Sequence, residues 1–320
     1  MKKRRILLAL IMLIISGISL TTATYAWFTA NRAVSVEQID VKAQASGGIQ
    51  ISADAEKWSN EVKIDDLLAK GLSEKGIHNY IPTTALKPVT TIGVNGKTGA
   101  FDFYLGELND AGDKVTLTSI ADNSNNYVAF DLYFYSANPK TTIEFNAGTQ
   151  VVAKNVDSPA PDSVVKDTGL KSSVRVGFLV QGNDPTATPA TAIALKNGGL
   201  TNQTIWEPNA DIHTDYATNM LHASGIMTTY GGKLAGNDLV MTADNTTNFQ
   251  AVNTGLGLKT STQAQVYPSG TLFEFSAGIT KVRVYVWLEG QDIDNEDTAS
   301  LGTGVGVLLK FKIADTQSGS

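Results

Sequence analysis

Apolar and polar residues alternate along much of this chain, which is the period of a half-buried β-strand. Val174, Val176, Phe178 and Val180 fall on one face of a strand, with Arg175 and Gly177 on the other. Val282, Val284, Val286 and Leu288 repeat the pattern opposite Arg283, Tyr285 and Trp287. Val305, Val307, Leu309, Phe311 and Ile313 share a face, with Lys310 and Lys312 outward. The stretch Tyr127–Tyr135 is denser, with Phe130, Leu132 and Phe134 on one side and Tyr133 and Tyr135 on the other. A strand apolar on both faces is either central in a sandwich or covered by a further segment. Strands are also predicted at 39–45, 48–53, 100–105, 114–120, 142–147, 149–153 and 271–276.

Helical periodicity is scarce. Ile64 to Lys70 reads as a short helix stopped by Gly71, and 211–223 as a weaker second one. Pro and Gly break the pattern at Asp157–Asp162 and Gly182–Pro189. Residues 181–270 are rich in Thr, Asn and Gly and short of apolar runs, so they read as a long loop-rich insertion or small lobe without a core of its own. The prediction is an all-β fold: an antiparallel β-sandwich, jelly-roll-like, over residues 27–320. Strands on both sides of the insertion share one core, with one or two short helices.

The first residues follow another pattern. Lys2, Lys3, Arg4 and Arg5 precede an apolar run over 6–20, and Thr24-Tyr25-Ala26 places small residues before a cut between Ala26 and Trp27. That is the layout of a secretory signal peptide spanning 1–26. The competing reading is an uncleaved membrane anchor extended through Phe28. No second apolar run of this length occurs, and no LPxTG-type sorting motif is present. The expected product is secreted, extracellular or held at the cell surface.

Composition narrows the function classes. The net charge is −6, and loss of the leader removes four cations, so a nucleic-acid binder with a clustered basic face is disfavoured. Cysteine is absent, which excludes disulfides, thiolate metal sites and a cysteine nucleophile. The three histidines, His78, His213 and His222, form no HExxH motif, and no GxSxG occurs. Gly302–Gly306 is glycine-rich but lies between strands without a following Lys-Ser/Thr, so it reads as a turn. No catalytic residue is assigned, and the chain is not expected to be an enzyme.

Two candidate ligand sites remain. Asp292, Asp294, Asn295, Glu296 and Asp297 crowd a loop after a strand, and oxygen-rich loops of this kind hold Ca²⁺. The alternative is a solvated acidic turn, since neither the spacing nor the sixth-position glycine of an EF-hand is present. Among Trp58, Trp206 and Trp287, whose rings could stack on a sugar, Trp206 in Ile205-Trp206-Glu207-Pro208-Asn209 is the preferred loop candidate, while Trp287 within its strand is assigned to packing.

The segment after the cut is the most informative. It begins Trp27-Phe28-Thr29-Ala30-Asn31, and Val34 and Val36 alternate on one face, while Ile39, Val41, Ala43 and Ala45 have the opposite parity. A slip or bulge near Glu37-Gln38 is expected. With Ala23-Thr24-Tyr25-Ala26, the strand Ser35–Ala45 and the strand around Gly48-Ile49-Gln50-Ile51-Ser52, this region resembles the TasA/camelysin group of secreted matrix proteins. The resemblance covers the leader junction; beyond it only the all-β character agrees.

That resemblance implies a fibre subunit whose leader is removed by a signal peptidase. The freed segment, with Trp27, Phe28, Val34 and Val36 as donor-strand residues, then adds to the sheet of another copy. A head-to-tail contact does not close, so it propagates a filament. The competing reading is that this segment begins the chain's own sandwich, which is favoured outright for 39–53. The alternative function is a monomeric surface adhesin or carbohydrate-binding sandwich.

Overall fold

The computed structural model describes residues 39–46, 48–68, 79–82, 86–95, 98–108, 114–121, 126–155, 170–196, 203–210, 233–235, 238–240, 258–261, 268–290, 292, 294 and 303–314. In the amino-terminal part the strands are β1 (Ile39–Ala45), β2 (Gln50–Ser52), β3 (Glu61–Lys63), β4 (Thr90–Val94), β5 (Phe101–Leu108) and β6 (Lys114–Ser119). The middle holds β7 (Tyr127–Ser136), β8 (Thr141–Phe145), β9 (Gln150–Asn155), β10 (Val174–Asp184) and β11 (Gln203–Glu207). The rest are β12 (Lys233–Ala235), β13 (Asp238–Val240), β14 (Leu258–Thr260), β15 (Thr271–Phe275), β16 (Gly278–Leu288) and β17 (Thr303–Ile313). Among the described residues two short α-helices accompany them, α1 (Ile64–Leu68) and α2 (Pro189–Ala194). The fold is all-β, as the alternation predicts.

The strands form three sheets. The first runs β15-β8-β17-β1-β3, and β17 is long enough to pair with both β8 and β9 along one edge. The central sheet runs β14-β11-β10-β16-β7-β2, and the third β12-β13-β6-β5-β4. Most pairs are antiparallel, but β1 lies parallel to β17, and β14 parallel to β11. The strands of the 181–270 insertion join existing sheets: β11 and β14 extend the central sheet, and β12 and β13 the third. The predicted helix at 211–223 lies outside the described residues.

The central sheet is buried on both faces. The row predicted as apolar, with Phe130, Phe134, Val176, Phe178 and Val284, packs against Phe145, Phe273, Val307 and Phe311 of the first sheet in one continuous core. Phe134 meets Phe311 edge-on at 5.2 Å, and Phe145 meets Phe178 at 5.7 Å. Each such ring removed from water contributes roughly 1.5–3 kcal/mol.

The opposite face is covered by the third sheet. Phe101 and Phe103 of β5 pack on Tyr127, Tyr285 and Trp287, with Phe103 stacked on Tyr127 at 4.5 Å and edge-on to Trp287 at 5.3 Å. Gly177 makes that contact possible: a Cβ there would lie 2.4 Å from a carbon of the Phe101 ring. Further along the same face, Ile193 of α2 packs with Tyr133 and Ile279. Gly278 starts β16 at φ +108°, tucked so tightly under the Asp184 carbonyl that a side chain would collide with the backbone.

Candidate functional site

The residues expected to drive assembly flank β1. Ala26 and Trp27 of the cleavage site, and Phe28, Val34 and Val36 of the donor segment, lie outside the described residues. What the structure describes is their attachment point. β1 is an interior strand, with Ile39 opposite Val305 and Ala45 opposite Phe311 on one side. On the other side, Ala43 faces Val62 of β3. The chain therefore enters the first sheet beside the start of β17. β17 runs in the same direction as β1 and ends at the far end of that sheet.

The acidic run after β16 is partly described. Asp292 is fully buried, and Arg175 donates to its Oδ2 at 2.6 Å and to Glu207 Oε1 at 2.8 Å. The Asp294 N–H donates to Asp292 Oδ1 at 2.9 Å. Burial raises the Asp292 carboxyl well above the usual carboxylate range; Arg175 offsets part of that, while Asp294 and Glu207 push it further up. Both oxygens of Asp292 thus have partners inside the protein. Asn295, Glu296 and Asp297 lie outside the described residues, and among the described residues no group of three or more His, Asp or Glu is arranged to hold a metal ion.

Trp206 is not where the sequence places it. It is in β11 rather than in a loop, and it is fully buried. Its indole N–H donates to Ser261 Oγ at 3.0 Å, and its ring packs against Phe145 at 4.9 Å. Gln203–Glu207 pairs with β10 on one side and β14 on the other, which carries the ring into the sandwich core. It offers no face to a sugar. Trp287 is buried in the aromatic layer, where its N–H donates to Glu289 Oε2 at 3.1 Å.

No family model, curated protein or solved structure matches this chain.

One cluster escapes the sequence reading. Asp131 sits in the middle of β7, wholly buried, and Arg283 grips it with two bonds: Nε donates to Oδ1 at 2.8 Å and an Nη to Oδ2 at 3.1 Å. Lys281 stands 3.3 Å from the same carboxylate and donates to the Ile193 carbonyl at 2.7 Å. Burial lowers the Lys281 pKa, Asp131 opposes that shift, and Arg283 adds to it. Burial likewise raises the Tyr133 hydroxyl. The bidentate guanidinium and the lysine make the cluster a clamp that ties β7 and β16 to α2. The signal for it was present: one carboxylate in an apolar strand, and two cations on the tyrosine-bearing face of another.

Proposed function

We propose that this chain is a secreted structural subunit that polymerises into extracellular surface filaments or biofilm matrix fibres. The segment freed at Ala26 adds as a strand to a neighbouring copy. The observation that supports this reading is the interior position of β1, held between β17 and β3. A strand gripped on both sides is a firm anchor for whatever precedes it. Residues 27–38, extended, would reach roughly 40 Å from that anchor, enough to run along most of a neighbour's sheet. Such a strand supplies main-chain hydrogen bonds for adhesion, and Trp27, Phe28, Val34 and Val36 supply side chains for its grooves. The partners are other copies of the chain, and a signal peptidase before them.

Electron microscopy of the secreted protein tests the reading. Filaments are expected from intact protein, and none from protein lacking Trp27–Val36, whose far-ultraviolet circular dichroism should stay β-rich because β1 is retained. Filaments from the shortened protein would refute donor-strand addition, and strictly monomeric intact protein would refute the fibre role.

A further inference from the structure

The loop between β2 and β3 builds a cleft of about 380 Å³ whose lining includes Asp54, Lys57, Trp58, Glu61, Val62 and Asp66. That size falls within the range of small-molecule sites, roughly 300–1,000 Å³. The loop is held shut at its base, where Ile51 and Ser59 exchange backbone hydrogen bonds at 2.8 and 3.0 Å. It is braced inside by Asp54, whose Oδ1 accepts the N–H groups of Glu56 and Lys57 at 3.0 and 2.8 Å and the Ser52 hydroxyl at 2.9 Å. Ala55 turns the chain at φ +60°. The wall is therefore formed before any ligand arrives.

We infer that this cleft binds a neutral hexopyranose unit, with the Trp58 ring as the stacking platform. Trp58 is half-buried and rests against Tyr135 at 5.7 Å, so its ring is fixed in place while still lining the cleft. A fixed, partly exposed indole matches the C–H face of a pyranose and loses little entropy on binding. Around it stand planar acceptors suited to vicinal hydroxyls. Asp66, exposed on α1, accepts the Lys63 N–H at 2.8 Å through Oδ2, and Glu61 is half-buried beside it.

Charge selects among ligands. The carboxylates are accompanied by Lys57 and by Lys63, which lies 3.5 Å from Glu61. The lining holds three carboxylates against one lysine, with Lys63 paired to Glu61 just outside it, which disfavours phosphate and uronate, while Asp54 is committed to the loop's own N–H groups and adds little toward a cation. Nothing here depends on polymerisation, so the site and the fibre role stand or fall separately.

The test is an array of neutral gluco-, galacto- and manno-oligosaccharides probed with the purified full chain, followed by calorimetric titration of the retained sugar. Trp58→Ala is expected to weaken binding by about tenfold or more, and Asp66→Ala severalfold. Asp66 is exposed on a short helix, so its variant keeps the fold even if Trp58→Ala does not. Retention of a neutral sugar with loss in both variants supports the site. No retained sugar, retention of charged glycans alone, or wild-type affinity in the Asp66 variant would overturn it.

Discussion

At the scale of single residues, the buried charges on the outer face of the central sheet behave differently from surface ion pairs. Arg175 serves two carboxylates at once, Glu207 and Asp292, with Asp294 adjoining, so negative charge exceeds positive in a buried site. Asp292 answers by holding its proton to higher pH than a free aspartate, which titrates near about 4. Above the unfolded pKa the native state carries a proton that the unfolded chain has released, so stability is lost as pH rises through the native pKa. Urea denaturation between pH 4 and 8 should therefore show the native chain weakening relative to Asp292→Asn as pH increases. A constant difference across that range would mean that Asp292 is ionised in the fold. Asp131 is the contrast: Arg283 bonds both of its oxygens and Lys281 stands beside it, so two cations serve one carboxylate where Arg175 alone serves two.

At the scale of elements, two phenylalanines on one strand lead the packing of the third sheet on the central one, beside the backbone bonds that Val89 makes with Leu288 and Gly290. Phe103 contacts Tyr127, Tyr285 and Trp287, and Phe101 fits over Gly177. Truncating Phe103 to Ala is expected to cost about 3–5 kcal/mol. Because the sandwich core lies on the other side of the central sheet, the loss should fall on β4, β5 and β6. Hydrogen exchange in residues 101–108 and 114–119 should rise sharply while β10 and β16 stay protected; uniform loss of protection would show that the three sheets open as one unit. The same elements show what the sequence disclosed. Alternation located β5, β7, β10, β16 and β17 to within a few residues, because period two is a local property. It also marked β7 as apolar on both faces, but it could not say what covered it, since that depends on a contact between distant strands. Trp206 was misplaced for the same reason: Pro208 and Asn209 announce a turn, and only pairing with β10 and β14 reveals that the preceding residues are a core strand. Helix α2 was hidden behind Pro189, which breaks alternation but is well suited to a first helical position.

At the scale of the whole molecule, the parallel pairing of β1 with β17 gives the first sheet a direction. β1 starts opposite Val305 and ends opposite Phe311, so the start of β1 and the end of β17 sit at opposite ends of the same pair. A subunit that donates from one end and accepts elsewhere makes a heterologous contact, and heterologous contacts that do not close grow without limit. A filament built by the proposed donor-strand addition would have a specific vulnerability. In that filament a copy lacking Trp27–Val36 would keep every described strand, including β1, so it could still accept a neighbour's segment but would have none to donate. Each one incorporated therefore ends growth in one direction. Mixing shortened and intact protein before assembly should reduce mean filament length in step with the shortened fraction, measured on electron micrographs, while the shortened copies co-sediment with the fibres. An unchanged length distribution with the shortened protein left in solution would mean that subunits recognise each other through some other surface, and the leading segment would then be no more than the approach to β1.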